Sequence, residues 1–206
     1  MIVASHYRHR QIFFEGNSLF ARSSGNTVNG HYIPNQVYTN ITDSGAFAFH
    51  SYALGGQTMT TINDNKQTQI VQWLKDRDIV ILWEIVNDVR TNNSTGQQVF
   101  DLLKSYYTSV KASGAKLLLV TGIASDFAGD AADVWTRVSD CNTLIRATPS
   151  DVCDAYADAG NDSRFDSVAD TANTDNYNAD KIHLTQAGYD AIEGIISPVL
   201  TTLLKT

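Results

Sequence analysis

The sequence contains no long apolar run, few basic residues and only two cysteines among its 206 residues. Without 18 or more consecutive apolar residues, no segment is predicted to span a membrane. The 15 Lys and Arg residues stand against 22 Asp and Glu, the net charge is −7, and no basic run occurs, so a nucleic-acid surface is not expected. These absences exclude membrane insertion and nucleic-acid binding from the expected functions.

The two cysteines, Cys141 and Cys153, are too few and too widely spaced for a structural zinc site. A fold held together by disulfides would contain more of them. We therefore expect two buried free thiols, and a single disulfide between them is the alternative.

The first ten residues carry two Arg and two His, and no apolar segment with a small-residue cleavage site follows them. No secretory signal peptide is therefore predicted. Three compartments stay open: the cytoplasm, a larger secreted or virion assembly, and secretion with a leader already removed. The sequence predicts no oligomeric state.

Short apolar runs alternate with segments of helical spacing along the chain. The strand candidates are residues 11–15, 46–54, 79–83, 116–120 and 151–156. Such runs, bounded by Gly, Asn and Asp, are typical of strands buried on both faces of a parallel sheet. Helical spacing is found at residues 62–74, 99–110, 132–145 and 187–204, with Thr185 as the predicted N-cap of the last helix. The alternation predicts one domain over residues 1–206, an α/β fold built as a three-layer α/β/α sandwich around a mostly parallel, five-stranded, flavodoxin-like sheet.

Two polar segments fit neither pattern: residues 23–43, rich in Asn, Gly, Thr and Ser, and residues 158–178, rich in Asp, Asn and Ala. Long loops in a compact domain are usually functional or mobile. Both are predicted to leave the sheet at its carboxyl edge, which is where ligands bind in open parallel sheets.

Ser18 directly follows the first strand candidate, at a predicted junction between a strand and a helix. A serine hydroxyl is a useful nucleophile only if a base removes its proton and donors stabilise the resulting oxyanion. At such a junction the hydroxyl is exposed and the first N–H groups of the helix point toward the developing charge. For this residue alone, the alternative is an ordinary helix cap.

His183 is the candidate base, because Asp180 lies three positions before it and a helix starts just after it. Asp180 would accept the Nδ1 proton and leave Nε2 free to take the proton of Ser18. The alternative is a solvated loop histidine beside an acidic residue at a helix start. The other four histidines are predicted to be surface or loop residues, with His31 the best placed for substrate contact: His6, His9, His31 and His50.

Two further segments end strand candidates and carry hydrogen-bond donors. At Gly56 the missing side chain lets a ligand approach the backbone N–H closely. At Asn87 the side-chain amide offers another donor. Gly-Gly and Asn-Asp are also ordinary turn dipeptides, so each signal is weak alone. A parallel sheet would nevertheless bring all of these segments to one edge.

Together, these segments resemble the SGNH/GDSL hydrolase superfamily, which is named for four separated sequence blocks. Gly16-Asn17-Ser18-Leu19 stands where the family has Gly-Asp-Ser-Leu, and the other three blocks are matched in order by Gly56, Asn87 and Asp180-x-x-His183. The resemblance implies a catalytic triad of Ser18, Asp180 and His183. It implies an oxyanion hole made by the N–H groups of Ser18 and Gly56 with the Asn87 amide. The implied reaction is acyl transfer from an ester to water through an acyl-enzyme, with no metal or organic cofactor.

Two positions depart from the family pattern. Asn17 replaces the usual Asp, which is expected to alter hydrogen bonding at the sheet edge while leaving the triad intact. Ile85-Val86 stands where a glycine normally precedes the block Asn, so the presentation of Asn87 is expected to differ.

The polar loops carry scattered aromatic residues, namely Tyr32, Tyr38, Phe165 and Tyr177. Such a mixture suits a sugar, whose faces stack on rings while its hydroxyls form hydrogen bonds. The expected partner is therefore a small-molecule or glycan ester, and an acetyl group on a carbohydrate is the preferred substrate. Lipolytic esters or thioesters, and a catalytically silent glycan-binding module, are the alternatives.

Overall fold

The computed structural model describes residues 9–21, 33–40, 47–66, 69–128, 130 and 132–206, with the side chains of residues 35, 38 and 39 excepted. The described strands form one five-stranded sheet in the order β2-β1-β3-β4-β5. Every neighbouring pair is parallel, so all carboxyl ends lie along one edge. The strands are β1 (Arg10–Gly16), β2 (Phe47–Ser51), β3 (Ile79–Trp83), β4 (Lys116–Val120) and β5 (Ala155–Ala157).

Apolar composition explains the central strands. All five residues of β3, Ile-Val-Ile-Leu-Trp, are buried, as a strand covered on both faces requires. The predicted bounds of β3 and β4 are confirmed. The fifth strand begins later than predicted, because Pro149–Asp151 forms a short 3-10 helix and the Asp154 carboxylate accepts the N–H of Leu117 at 2.8 Å.

Six α-helices are described, and they cover the sheet on both faces. They are α1 (Ile33–Asn40), α2 (Met59–Asn65), α3 (Val86–Thr91), α4 (Gly96–Ala112), α5 (Val134–Ala147) and α6 (Gln186–Leu204). Helices α2 to α5 contribute to one buried cluster, and α1 and α6 contribute to a second cluster on the opposite face. The predicted three-layer α/β/α arrangement is therefore confirmed.

Helix α6 shows why the chain forms these layers. Ile192, Ile196 and Leu200 recur every four residues and are fully buried against the sheet. Full burial of each such side chain stabilises the fold by about 1.5–3 kcal/mol. The predicted cap is confirmed, since the Thr185 hydroxyl accepts the N–H of Gly188 at 3.2 Å. None of the described helices combines the length and the apolar character that a membrane crossing requires.

Three predictions about local structure were wrong. The segment 62–74 is not one helix, since α2 ends at Asn65 and a 3-10 helix follows at Val71–Trp73, where Trp73 is 54% exposed. The polar segment 23–43 contains α1, because Ile33 and Val37 share a buried face. His50 is not a surface or loop residue: it lies on β2 and stacks on Phe13 at 5.0 Å between ring centroids.

The expectation of two buried free thiols, Cys141 and Cys153, is confirmed.

Candidate active site

The structure brings Ser18, His183 and Asp180 into one hydrogen-bonded series. His183 Nε2 lies 2.8 Å from Ser18 Oγ, and His183 Nδ1 lies 2.6 Å from Asp180 Oδ2. The His183 side chain is 18% exposed and the Asp180 side chain 39% exposed. The series therefore lies at the surface, within reach of a substrate, on the carboxyl edge of the sheet.

Asp180 determines which nitrogen of His183 carries the proton. Burial by itself would raise the pKa of this carboxyl, but hydrogen bonds from the His183 ring and from the N–H groups of Ile182 and His183 outweigh it and lower the pKa. Asp180 is therefore ionised at neutral pH and only accepts hydrogen bonds, so Nδ1 of a neutral His183 carries the proton. Nε2 is then unprotonated and faces the Ser18 hydroxyl.

The loop that carries Asp180 and His183 is tied at its base and at its tip. An antiparallel bridge pairs Tyr177 with Leu184, and the N–H of Asn178 donates to the His183 carbonyl at 2.8 Å. At the tip, Lys181 has a positive φ of 57°, and its Nζ contacts Asp126 Oδ2 at 2.5 Å. These contacts hold the loop against the segment that follows β4.

Ser18 lies in a tight turn after β1. Gly16 precedes it with φ of 149°, and a Cβ atom there would lie only 2.4 Å from the Trp83 carbonyl oxygen. The Asn17 carbonyl accepts the N–H groups of Phe20 and Ala21, which closes the turn. A single turn, rather than the expected helix start, follows Ser18 in the described residues.

The three predicted oxyanion donors lie on segments that are hydrogen-bonded to one another. Within the described part of the chain, the backbone N–H groups of Ser18 and Gly56 make no hydrogen bond. Gly56 has φ of 75°, and a Cβ atom added there would have no neighbouring atom within 4 Å. The Asn87 amide donates one hydrogen to the Gln57 carbonyl at 3.0 Å and retains a second N–H. Up to three N–H groups are thus available to a ligand.

No known family model matches this sequence, and no curated protein matches it. Solved structures do match it closely in shape. A member of the lipolytic G-D-S-L family from Veillonella parvula superposes with a TM-score of 0.73 at 17% identity, covering 93% of this chain and 98% of that one. A lipase/acylhydrolase from Enterococcus faecalis gives 0.70 at 16% identity, covering 94% and 96%. The chain has the SGNH hydrolase fold.

Two further solved structures are also similar to this chain. An acetyl xylan esterase superposes with a TM-score of 0.66 at 14% identity and covers 90% of this chain and 97% of its own. A Bacillus subtilis protein gives 0.70 at 18% identity over 95% of this chain, but this chain spans only 57% of its length. The predicted fold and the resemblance drawn from four short blocks therefore agree with the observed architecture.

Sequence reasoning missed three acidic side chains buried beneath this edge of the SGNH fold. Glu15 ends β1, Glu84 follows β3, and Asp88 lies in α3; all three are at most 1% exposed. Burial raises the pKa of Glu15 to about 8. Burial and the nearby Asp88 carboxylate raise the pKa of Glu84 well above its usual range. For Glu15 and Glu84, an acidic residue inside or directly after an apolar strand is the signal that could have found them, whereas Asp88 lies in α3 and carries no such signal.

The aromatic residues expected around the substrate are not all at the surface. Phe165 is 0% exposed and Tyr177 is 1% exposed, because both belong to the core between the sheet and α6. Their assignment to a sugar-binding surface was therefore wrong. His6, His31 and Tyr32 lie outside the described residues, as does the side chain of Tyr38.

Two exposed apolar side chains lie instead on segments that are hydrogen-bonded to the loops carrying the site residues. Leu54 is 56% exposed and leads into the turn at Gly56, and its N–H donates to the Gly16 carbonyl at 3.0 Å. Phe127 is 43% exposed and follows Asp126, the partner of Lys181.

Proposed function

We propose that this chain is a serine ester hydrolase in which Ser18 is the nucleophile, His183 the general base and Asp180 the residue that orients the base. The observation that carries the proposal is the series Ser18 Oγ to His183 Nε2 at 2.8 Å and His183 Nδ1 to Asp180 Oδ2 at 2.6 Å. Nucleophile and base within hydrogen-bond distance, with a third group orienting the base, is the recurring geometry of serine hydrolases.

The proposed reaction proceeds in two steps. Ser18 Oγ attacks the ester carbonyl carbon while His183 Nε2 takes its proton, and the carbonyl oxygen becomes an oxyanion. The N–H groups of Ser18 and Gly56 and the second Asn87 N–H stabilise that charge. His183 then protonates the leaving alcohol as the ester bond breaks. The same nitrogen next takes a proton from a water that attacks the acyl-enzyme, and it passes that proton to Ser18 Oγ as the bond between Oγ and the acyl group breaks. Every proton moves through groups that the chain itself supplies.

Covalent labelling by a fluorophosphonate tests this assignment. The native protein should be labelled on Ser18, and S18A should abolish both labelling and hydrolysis of p-nitrophenyl acetate. S139A, on the distant helix α5, is the matched control and should be labelled like the native protein. An unlabelled native protein would favour the catalytically silent glycan-binding module instead.

For the substrate, we propose a short-chain ester, with an acetyl group on a carbohydrate as the preferred class. The exposed ring of Phe127 supports it, because the ring lies among charged groups: the Arg90 guanidinium packs over it at 4.7 Å, and Arg90 in turn pairs with Asp130. An aromatic surface bordered by polar groups suits a sugar. Incubation with acetylated glycans should release acetate, and F127A should raise KM for the glycan more than KM for p-nitrophenyl acetate.

A lipolytic esterase or thioesterase is the second candidate, and the exposed Leu54 beside the Gly56 turn favours it. An acyl chain lying against this side chain would lose contact with water. A series of p-nitrophenyl esters from acetate to octanoate separates the candidates. The short-chain proposal requires acetate to be hydrolysed fastest, whereas a maximum at octanoate that L54S removes would support the lipolytic candidate.

A further inference from the structure

Glu84 is a buried carboxyl group that contacts two parts of the site, although no step of the proposed reaction uses it. It follows β3 directly and is 0% exposed. Its Oε1 accepts the backbone N–H of Asn87 at 2.8 Å, and its Oε2 accepts a hydrogen bond from the side-chain amide of Asn17. One carboxyl group therefore joins the residue before the nucleophile to the residue that carries an oxyanion donor.

The second partner of Asn17 determines how its amide is oriented. Asn17 Oδ1 accepts the N–H of Leu19 at 2.8 Å, so the amide oxygen must face that donor. The Nδ2 group is then the one that faces Glu84. Both contacts of Glu84 therefore come from N–H donors. A carboxyl group has an oxygen that can accept each of them even when it is protonated, whereas a glutamine has only one acceptor oxygen.

Asp88 extends these contacts to the third part of the site. Its carboxylate accepts hydrogen bonds from the first turn of α2, including Thr60 Oγ1 at 2.7 Å and the N–H of Met59. Helix α2 starts three residues after Gly56, and the Asn87 amide holds the intervening Gln57 carbonyl. The segments carrying Ser18, Gly56 and Asn87 thus share one buried set of hydrogen bonds.

We propose that Glu84 is a positioning residue, which holds the Ser18 turn and the Asn87 donor in register through hydrogen bonds to Asn17 and Asn87. This inference rests on the proposed function. It also accounts for Asn17 where the resembling family has Asp: the amide supplies the N–H that Glu84 accepts, while an Asp would bring two acceptors face to face. Misplacing reacting groups by about 1 Å is enough to lower a rate by about 100-fold.

Exchange of the two side chains tests the inference. E84Q leaves an NH₂ group facing a donor, and we expect kcat per active site to fall by about 10- to 100-fold with KM within about threefold. N17D brings two carboxyl groups together and should also lower kcat. In the double variant N17D/E84Q the introduced glutamine amide donates to the introduced aspartate carboxylate, so the hydrogen bond between the two side chains is restored with the roles reversed. The backbone N–H groups of Leu19 and Asn87 each keep an acceptor oxygen. We expect its kcat to return to within about threefold of the native value.

E193Q is the matched control, because Glu193 is also a buried glutamate but lies on α6, where it pairs with Ser197. Its kcat should equal the native value. Active sites are counted by fluorophosphonate labelling, so that a loss of folded protein is not read as a loss of kcat. An E84Q variant with native kcat, or a double variant below one tenth of native kcat, overturns the inference. If E84Q does not fold, the double variant alone decides, and failure of that variant to fold also overturns the inference.

The same labelling separates this inference from the proposed function. If the native protein is labelled on Ser18 but the exchange has no effect, only the role of Glu84 fails. If Ser18 of the native protein is not labelled, the proposed function itself fails.

Discussion

His183 Nε2 lies 2.8 Å from Ser18 Oγ, although 165 positions separate the two residues in the sequence. Ser18 follows β1, the second strand from one edge of the sheet, and His183 lies three residues before α6, the last helix described. The parallel strands put every strand-to-helix connection at the same edge, and α6 packs back along the sheet from there. The contact is therefore a consequence of topology rather than of local sequence.

Asp180→Asn is expected to lower kcat by about 10²–10⁴-fold while KM changes little. The Asn oxygen still accepts the N–H groups of Ile182 and His183, which Asp180 Oδ1 accepts at 3.0 Å. The amide NH₂ now faces Nδ1, so the imidazole carries its proton on Nε2 and no longer accepts from Ser18. Steady-state kinetics with p-nitrophenyl acetate measures the effect. Native kcat in this variant would mean that Asp180 does not orient the base.

Asn87→Ala is expected to lower kcat by about 10²–10³-fold, the usual loss for one oxyanion donor. Asn87→Asp should be worse, because it removes the donor and also places a negative charge beside the oxyanion. The Gln57 carbonyl loses its 3.0 Å partner in both variants, so this loss cannot account for a difference between them. Equal kcat in the two variants would argue against an electrostatic role for this side chain.

Gly16→Ala is expected to destabilise the fold by about 3 kcal/mol or more, because the new Cβ would lie 2.4 Å from the Trp83 carbonyl oxygen at a φ of 149°. Gly194→Ala is the matched control. Gly194 lies on α6 with open space around it, so an alanine should stabilise the helix by about 0.5–1 kcal/mol. Urea denaturation measures both free energies of unfolding. A similar change in the two variants would contradict the close approach of β1 and β3.

Glu15 is expected to make the protein less stable as pH rises from about 4.5 to about 8. Burial raises the pKa of this carboxyl from 4.5 to about 8 in the folded state, so the folded protein retains a proton that the unfolded chain has lost. The loss is complete above pH 8 and amounts to at most about 5 kcal/mol.

Glu15→Gln should therefore leave the free energy of unfolding similar near pH 4.5 and raise it above that of the native protein at about pH 9. Urea denaturation of both proteins across this pH range measures the difference. A difference that does not change with pH would show that Glu15 titrates alike in the folded and unfolded states.

Much of the fold was predictable because it depends on local patterns. The continuous apolar runs at residues 79–83 and 116–120 predicted buried strands with the bounds that the structure has. The Thr185 cap and the helix that follows it were likewise readable from side-chain chemistry at fixed spacing. Prediction failed where a short element depends on its neighbours, as in α1, whose polar sequence hides a two-residue apolar face.

The candidate site, like the fold, has a part that was predictable from the sequence and a part that was not. The sequence by itself determined the residue types of the proposed triad and of the proposed oxyanion donors, because four short blocks in order suffice to suggest them. Only the tertiary structure decided that Phe165 and Tyr177 belong to the core, that Leu54 and Phe127 are exposed, and that Glu84 joins Asn17 to Asn87. The physical reason is that burial and hydrogen-bond partners are properties of residues far apart in the chain, and they exist only once the sheet has brought those residues together.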